Sequence, residues 1–156
     1  MKISNKASIN LSLAVSVLFF LACVAGCFLA PSLVKTFIDA QDVIGGFVEI
    51  TEIGKILIHA TAFLILAVFI VADIFLFFLL VRVRSGLVFT DITVSLIRRV
   101  SWCCFAVCLL FAFLGIYFSL SFVVAFLGTF LGVCLRVIKN VIAEAVEIKN
   151  ENDLTV

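Results

Sequence analysis

Apolar residues gather in four long stretches along this chain, and the charged residues, Asp73 apart, are swept toward the gaps between them and the two ends. A hydrocarbon core of roughly 30 Å takes about 20 apolar residues as a helix, because each backbone amide and carbonyl there must be bonded within its own segment. The pattern predicts an all-α integral membrane protein with four transmembrane helices in an antiparallel bundle. The expected spans are about 9–30, 56–81, 94–118 and 121–143, within a single domain 1–156 that ends in a short tail 144–156. Pro31 is expected to close the first helix, since its ring removes an N–H and clashes with the preceding turn. The run between Arg99 and Arg136 carries no charge, is too long for one span, and splits into two near Ser119 to Ser121. Past Arg136, Ile138, Val141, Ile142, Ala145 and Ile148 recur at helical spacing. The last helix is therefore expected to extend into the cytoplasm as an amphipathic segment, with a polar, flexible end from Asn150 to Val156. Such a segment serves either as an anchor along the headgroups or as a docking face for a cytoplasmic partner.

Composition agrees with that architecture. Of 156 residues, 65% are hydrophobic and 13% charged, and 18 are phenylalanine. Mean hydropathy is +1.39, whereas soluble domains keep about a quarter of their residues charged. A net charge of +1 is uninformative by itself, and no basic patch is extensive enough to argue for nucleic-acid binding, so no direct nucleic-acid partner is expected. The placement of the basic residues says more, because Lys and Arg in short loops are retained on the cytoplasmic side. Lys2 and Lys6 precede the first stretch, Arg82, Arg84, Arg98 and Arg99 flank the second gap, and Arg136, Lys139 and Lys149 follow the fourth. The first gap instead holds Asp39, Asp42, Glu49 and Glu52 against Lys35 and Lys55. The expected location is a bacterial plasma membrane, multi-pass, with the N-terminus and C-terminus cytoplasmic. Trp102 near the inner boundary and Tyr117 near the outer one fit that register. Lys2, Lys6 and the approach through Val24, Ala25 and Gly26 to Cys27 mimic a lipoprotein signal, whose removal would leave three spans. The apolar stretch runs on through Phe28 and Leu29, beyond the roughly 7 to 15 residues of a signal core, so a retained first span is expected.

Asp73 is the one acidic residue well inside an expected span, and an ionisable group at that depth is costly enough to be a functional hypothesis. At about 100° per residue, His59 and Arg84 fall near its face, which makes Asp73, His59 and Arg84 a candidate intramembrane polar site. The plainer reading is a structural carboxylate bonded to a hydroxyl or a basic group of a neighbouring helix, and it is favoured because a proton relay needs more polar partners at that depth. All six cysteines, Cys23, Cys27, Cys103, Cys104, Cys108 and Cys134, fall within expected helices, as small packing residues do. No Cys-x-x-Cys pair stands at an outer loop, and Cys104 and Cys108 lack a nearby carboxylate or histidine to complete a metal site. Gly128 and Gly132, extended by Ser121 and Ala125, form a face of small residues, as do Ala22, Gly26 and Ala30. Such faces close a bundle or pair two copies, and internal packing is the expected use. No nucleophile with a base, metal constellation or cofactor loop emerges, so neither enzymatic activity nor a cofactor is expected.

Two stretches carry a resemblance. Arg82, Arg84, Gly86, Phe89, Thr90, Val94, Arg98, Ser101 and Trp102 give a glycine turn, a Phe-Thr step and a basic residue before a Ser-Trp pair. The ending Glu151, Asn152, Asp153, Leu154, Thr155 and Val156 is preceded by Ala145, Glu147 and Lys149. In both stretches the chain resembles a bacterial family of small four-span membrane proteins, domain of unknown function 2975. Ile92 and Thr93 depart from it, standing where the family pattern has a Glu-Asn pair. The resemblance implies no reaction. It does imply a partner, a very small helix-turn-helix regulator of the Cro/C1 type, because family members are frequently encoded beside one. The expectation is a non-enzymatic protein that engages such a regulator through the 82–99 loop and the tail. The candidate partner-binding residues are Arg82, Arg84, Phe89, Thr90, Arg98, Glu151, Asn152, Asp153, Leu154 and Thr155. The alternative is a small transporter or channel-like homo-oligomer using intramembrane Asp73.

Overall fold

The computed structural model describes the backbone of residues 2–41 and 45–154 and the side chains of 7–41 and 45–151. Among the described residues it is built from four long helices: α1 Lys2–Asp39, α2 Glu52–Arg84, α3 Asp91–Leu114 and α4 Leu120–Leu154. All four are long and apolar enough to cross a membrane, so the chain is a multi-pass membrane protein. The extensive contacts join neighbours in sequence, α1 to α2, α2 to α3 and α3 to α4, and each pair is antiparallel. Along α1, Phe19 meets Phe69 edge-on at 6.0 Å and Gly26 faces Leu66, so numbers rise on one helix as they fall on the other. Most large apolar side chains are exposed on the outer surface, as lipid-facing residues are.

The helices converge at the end that carries the 40–51 and 115–119 connections. Val34, Ile58 and Phe118 are buried together there, with Leu114 and Tyr117 packed against them. The first connection is pinned to the second by backbone. The Phe47 N–H donates to the Ile116 carbonyl at 3.0 Å, and the Ser119 N–H donates to the Gly45 carbonyl at 3.0 Å. Gly45 has φ +78°, and a Cβ on Gly46 would stand 2.1 Å from the Tyr117 carbonyl oxygen. The adjacent glycines thus serve separate needs, a left-handed turn and a close approach. The sequence presents this stretch only as a charged loop.

Pro31 does not close the first helix, which continues through it to Asp39. A proline within a helix forfeits one backbone bond, a loss tolerated where neighbouring helices hold the segment in place. Ala30 and Val34 are both buried on either side of it, and Val34 belongs to the converged core. The third helix stops at Leu114, short of the 94–118 span, because the chain turns at Gly115 to bring Phe118 into that core. The fourth helix extends to Leu154, so Asn150–Leu154 are helical rather than a flexible end, and Thr155 and Val156 lie outside the described residues, as does Asp42. No glycine or proline interrupts the sequence after Gly132.

At the opposite end, α2 closes in a Schellman motif. The Gly86 N–H donates to the Val83 carbonyl and the Leu87 N–H to the Arg82 carbonyl, with Gly86 at φ +76°. Helix α3 then starts from Thr90, whose hydroxyl accepts from the Thr93 N–H. The Thr93 hydroxyl donates back to the Leu87 carbonyl at 3.0 Å, and Thr93 is 1% exposed. Thr90→Ala is expected to cost about 1 kcal/mol through loss of the cap. Thermal unfolding of the purified protein in a non-ionic detergent checks this, and an unchanged midpoint would refute it.

Candidate functional site

Seven-residue spacing on α1 places Ser16, Cys23 and Ala30 on one buried face, and this face meets α2. On α2 the buried positions Gly54, Ile58, Thr61, Ile65 and Asp73 follow helical spacing toward the same seam. The hydroxyl of Ser16 donates to Asp73 Oδ1 at 2.8 Å, with Ser16 3% and Asp73 5% exposed. The carboxylate is therefore bonded across two helices by a neutral donor, the plainer of the two sequence readings.

His59 and Arg84 are not part of that contact. At about 1.5 Å per residue they lie roughly 21 Å and 16 Å along the helix axis from Asp73. The Nδ1–H of His59 donates to the Lys55 carbonyl of its own helix at 2.8 Å, and Arg84 is exposed. Shared angular position on a helix does not bring groups together when the rise separates them. Among the described residues, no basic side chain forms a salt bridge with Asp73.

Beside the Ser16–Asp73 contact lies a cleft of about 580 Å³ between α1 and α2, reached by Val100 of α3. Its walls are apolar, built by Val15, Phe19, Phe69, Leu76 and Leu80, and its polar lining comes from Ser12, Ser16 and Asp73. Ser12 donates to its own helix at the Ser8 carbonyl, 3.1 Å away. A second cleft, of about 320 Å³, touches Asp73 from the Phe77 and Phe78 side of α2.

The seam between α3 and α4 is the other polar contact in the apolar zone. Ser101, 1% exposed, donates to the Gly132 carbonyl at 3.0 Å, and Cys108 and Thr129 stand 2.8 Å apart. Gly128 faces Cys104 and Cys108, and Gly132 faces Phe105. The small-residue face of α4 is used within the chain, letting its backbone approach α3 closely. In α1, Gly26 and Ala30 turn toward α2 while Ala22 is exposed. All six cysteines are free thiols.

At the end carrying the 85–90 connection, Arg84, Phe89 and Arg98 are exposed and Arg82 is half-buried. Thr90 is committed to the cap, so it shapes this connection. Arg136 lies over the Trp102 ring at 4.7 Å and the Phe105 ring at 5.2 Å, a cation–π stack that ties α4 to α3. Beyond it, the helical run of Ile138, Val141, Ile142, Ala145 and Ile148 is divided between the seam and the outer surface. Val146 is buried and Ile142 and Ala145 are half-buried, while Ile138, Val141 and Ile148 are exposed. The buried side follows the Ser121, Ala125 and Gly132 side of the same helix. Glu151 is exposed, Asn152, Asp153 and Leu154 are described as helical backbone only, and Thr155 is outside the described residues.

Sequence reading missed Ser16, Ser101 and the Arg136 stack. The signal for Ser16 was available, as a hydroxyl in the middle of an apolar run, seven residues before Cys23. A family model described as "Protein of unknown function (DUF2975)" matches residues 3–156. No curated protein and no solved structure matches the chain.

Proposed function

The chain belongs to the DUF2975 family, and we propose that it is a non-enzymatic protein of the bacterial plasma membrane that docks a cytoplasmic partner. In this reading both termini and the 85–90 connection face the cytoplasm. Arg82, Arg84, Phe89 and Arg98 form one part of the docking surface, positioned by the Thr90 cap, and the 151–155 ending forms the other. The partner proposed is a small helix-turn-helix regulator of the Cro/C1 type. The observation that carries the reading is the length of α4, whose 35 residues run without a break well past Arg136. At about 1.5 Å per residue such a helix spans roughly 52 Å, far more than a bilayer core takes. Its last turns rise from the same end as the basic connection, so one partner can touch both.

Affinity capture of the detergent-solubilised protein from its host, full length against a chain ending at Glu147, tests this. A helix-turn-helix protein identified by mass spectrometry should be retained at least about tenfold better by the full chain, equivalent to about 1.4 kcal/mol. Equal recovery, or none from either, would count against docking. One observation favours a second reading, a small transporter: Asp73 lines a cleft at membrane depth. In that case Asp73→Asn should abolish the transport phenotype and truncation at Glu147 should leave it intact.

A further inference from the structure

We propose that the cleft beside Asp73 is a binding site for a hydrophobic organic cation, a quaternary or tertiary ammonium or a phosphonium centre carried on an apolar body. The volume of about 580 Å³ suits a compact organic molecule. Apolar side chains make most of the walls, and among the described residues no Lys, Arg or His lines them. The charge-bearing group of the lining is the Asp73 carboxylate, held by Ser16 and aligned by it. Phe19 and Phe69 stand in the same cleft as an edge-to-face pair with rings at 82°. A carboxylate with aromatic rings in an apolar setting matches a weakly hydrated cation, which gains attraction from the carboxylate and the ring faces at little desolvation cost. A metal ion or an ammonium with strong hydration would need several oxygen donors, and among the described residues the cleft offers one carboxylate and two side-chain hydroxyls. The inference deepens the transport reading by naming its substrate class. Its test reads binding instead of flux, so a site that binds without transporting is distinguishable from no site.

The probe is radiolabelled tetraphenylphosphonium, with tetraphenylborate as the anion of the same shape, added to the full-length protein in a non-ionic detergent. Saturable binding of the cation is expected, weakened by about tenfold or more in Asp73→Asn and retained in Asp73→Glu. Asparagine keeps an acceptor for the Ser16 hydroxyl, so the fold should survive, and the thermal midpoint verifies that. Leu76→Trp narrows the cleft without touching the carboxylate and should weaken binding as well, which keeps the test valid if the asparagine variant misfolds. Equal binding of cation and anion with no dependence on Asp73 would overturn the proposal and leave a cleft for an acyl chain. Absence of saturable binding would overturn it too.

Discussion

Gly46→Ala should destabilise the protein by about 2 kcal/mol or more, the loss expected when the loop and turn hydrogen bonds at the converged end are broken together. The added Cβ would stand 2.1 Å from the Tyr117 carbonyl oxygen and 3.0 Å from Gln41 Nε2. The carbonyl belongs to backbone already fixed by Phe118, which is buried with Val34 and Ile58. Relief therefore means separating the two connections, which gives up the bonds from Phe47 to Ile116 and from Ser119 to Gly45. Gly86→Ala offers the comparison. It meets open space but must hold φ +76°, a strain of roughly 1 to 2 kcal/mol for a residue with a Cβ. Thermal unfolding of the three proteins in one detergent should rank wild type above Gly86→Ala and Gly46→Ala lowest. A Gly46→Ala midpoint equal to that of wild type would mean that the two connections are not held against each other.

Gly132→Val should cost about 2 to 3 kcal/mol, the range for overfilling a packed seam. A Cβ there already comes within 3.2 Å of the Phe105 ring. That ring has little freedom to withdraw, since Arg136 covers it at 5.2 Å and Trp102 meets it edge-on at 6.3 Å. Displacing the α4 backbone would also strain the bond from Ser101 to the Gly132 carbonyl. Gly128→Ala differs, because its nearest neighbours would be 3.7 Å away, at ordinary contact. It should be neutral or stabilise by up to about 1 kcal/mol, as glycine is the poorer helix former. Unfolding midpoints separate the two. Mass measurement of the detergent complexes adds a check, since a Gly128→Ala variant that changed oligomeric state would show that this face pairs copies.

Elements governed by local chemistry were legible in the sequence. Length and apolarity determine the four helices, and the Thr90 cap before Asp91 is set locally, because threonine supplies an acceptor for the third helical N–H. Spacing also marked the small-residue face of Gly128 and Gly132, whose inward use was the expected one of two. What was not legible depends on partners distant in the chain. Pro31 looks like a stop until Val34 is seen packed with Ile58 and Phe118. Asp73 calls for a donor, and several hydroxyls were available, but only the pairing of α1 with α2 selects Ser16. The role of Gly45 and Gly46 depends on the α3–α4 turn placed beside them, which the charged gap in the sequence does not show. The tail shows the same limit from another direction. Its apolar pattern marks one side of a helix, and only the rotation set by the α3–α4 seam buries Val146 and leaves Ile138, Val141 and Ile148 exposed.

The succession of contacts, each helix on the one before it, has a consequence for how the protein is made. A ribosome delivers α1 and then α2, and their seam can be buried before α3 exists; each later helix likewise finds a packing partner already inserted. Short connections keep the entropy of each closure small, and little long-range search remains once α4 is released. The exception is the docking of Gly45 and Phe47 against Ile116 and Ser119, which cannot occur until most of the chain has emerged. That contact is the natural last step of maturation, the point at which the 40–51 and 115–119 connections lock the packed helices together.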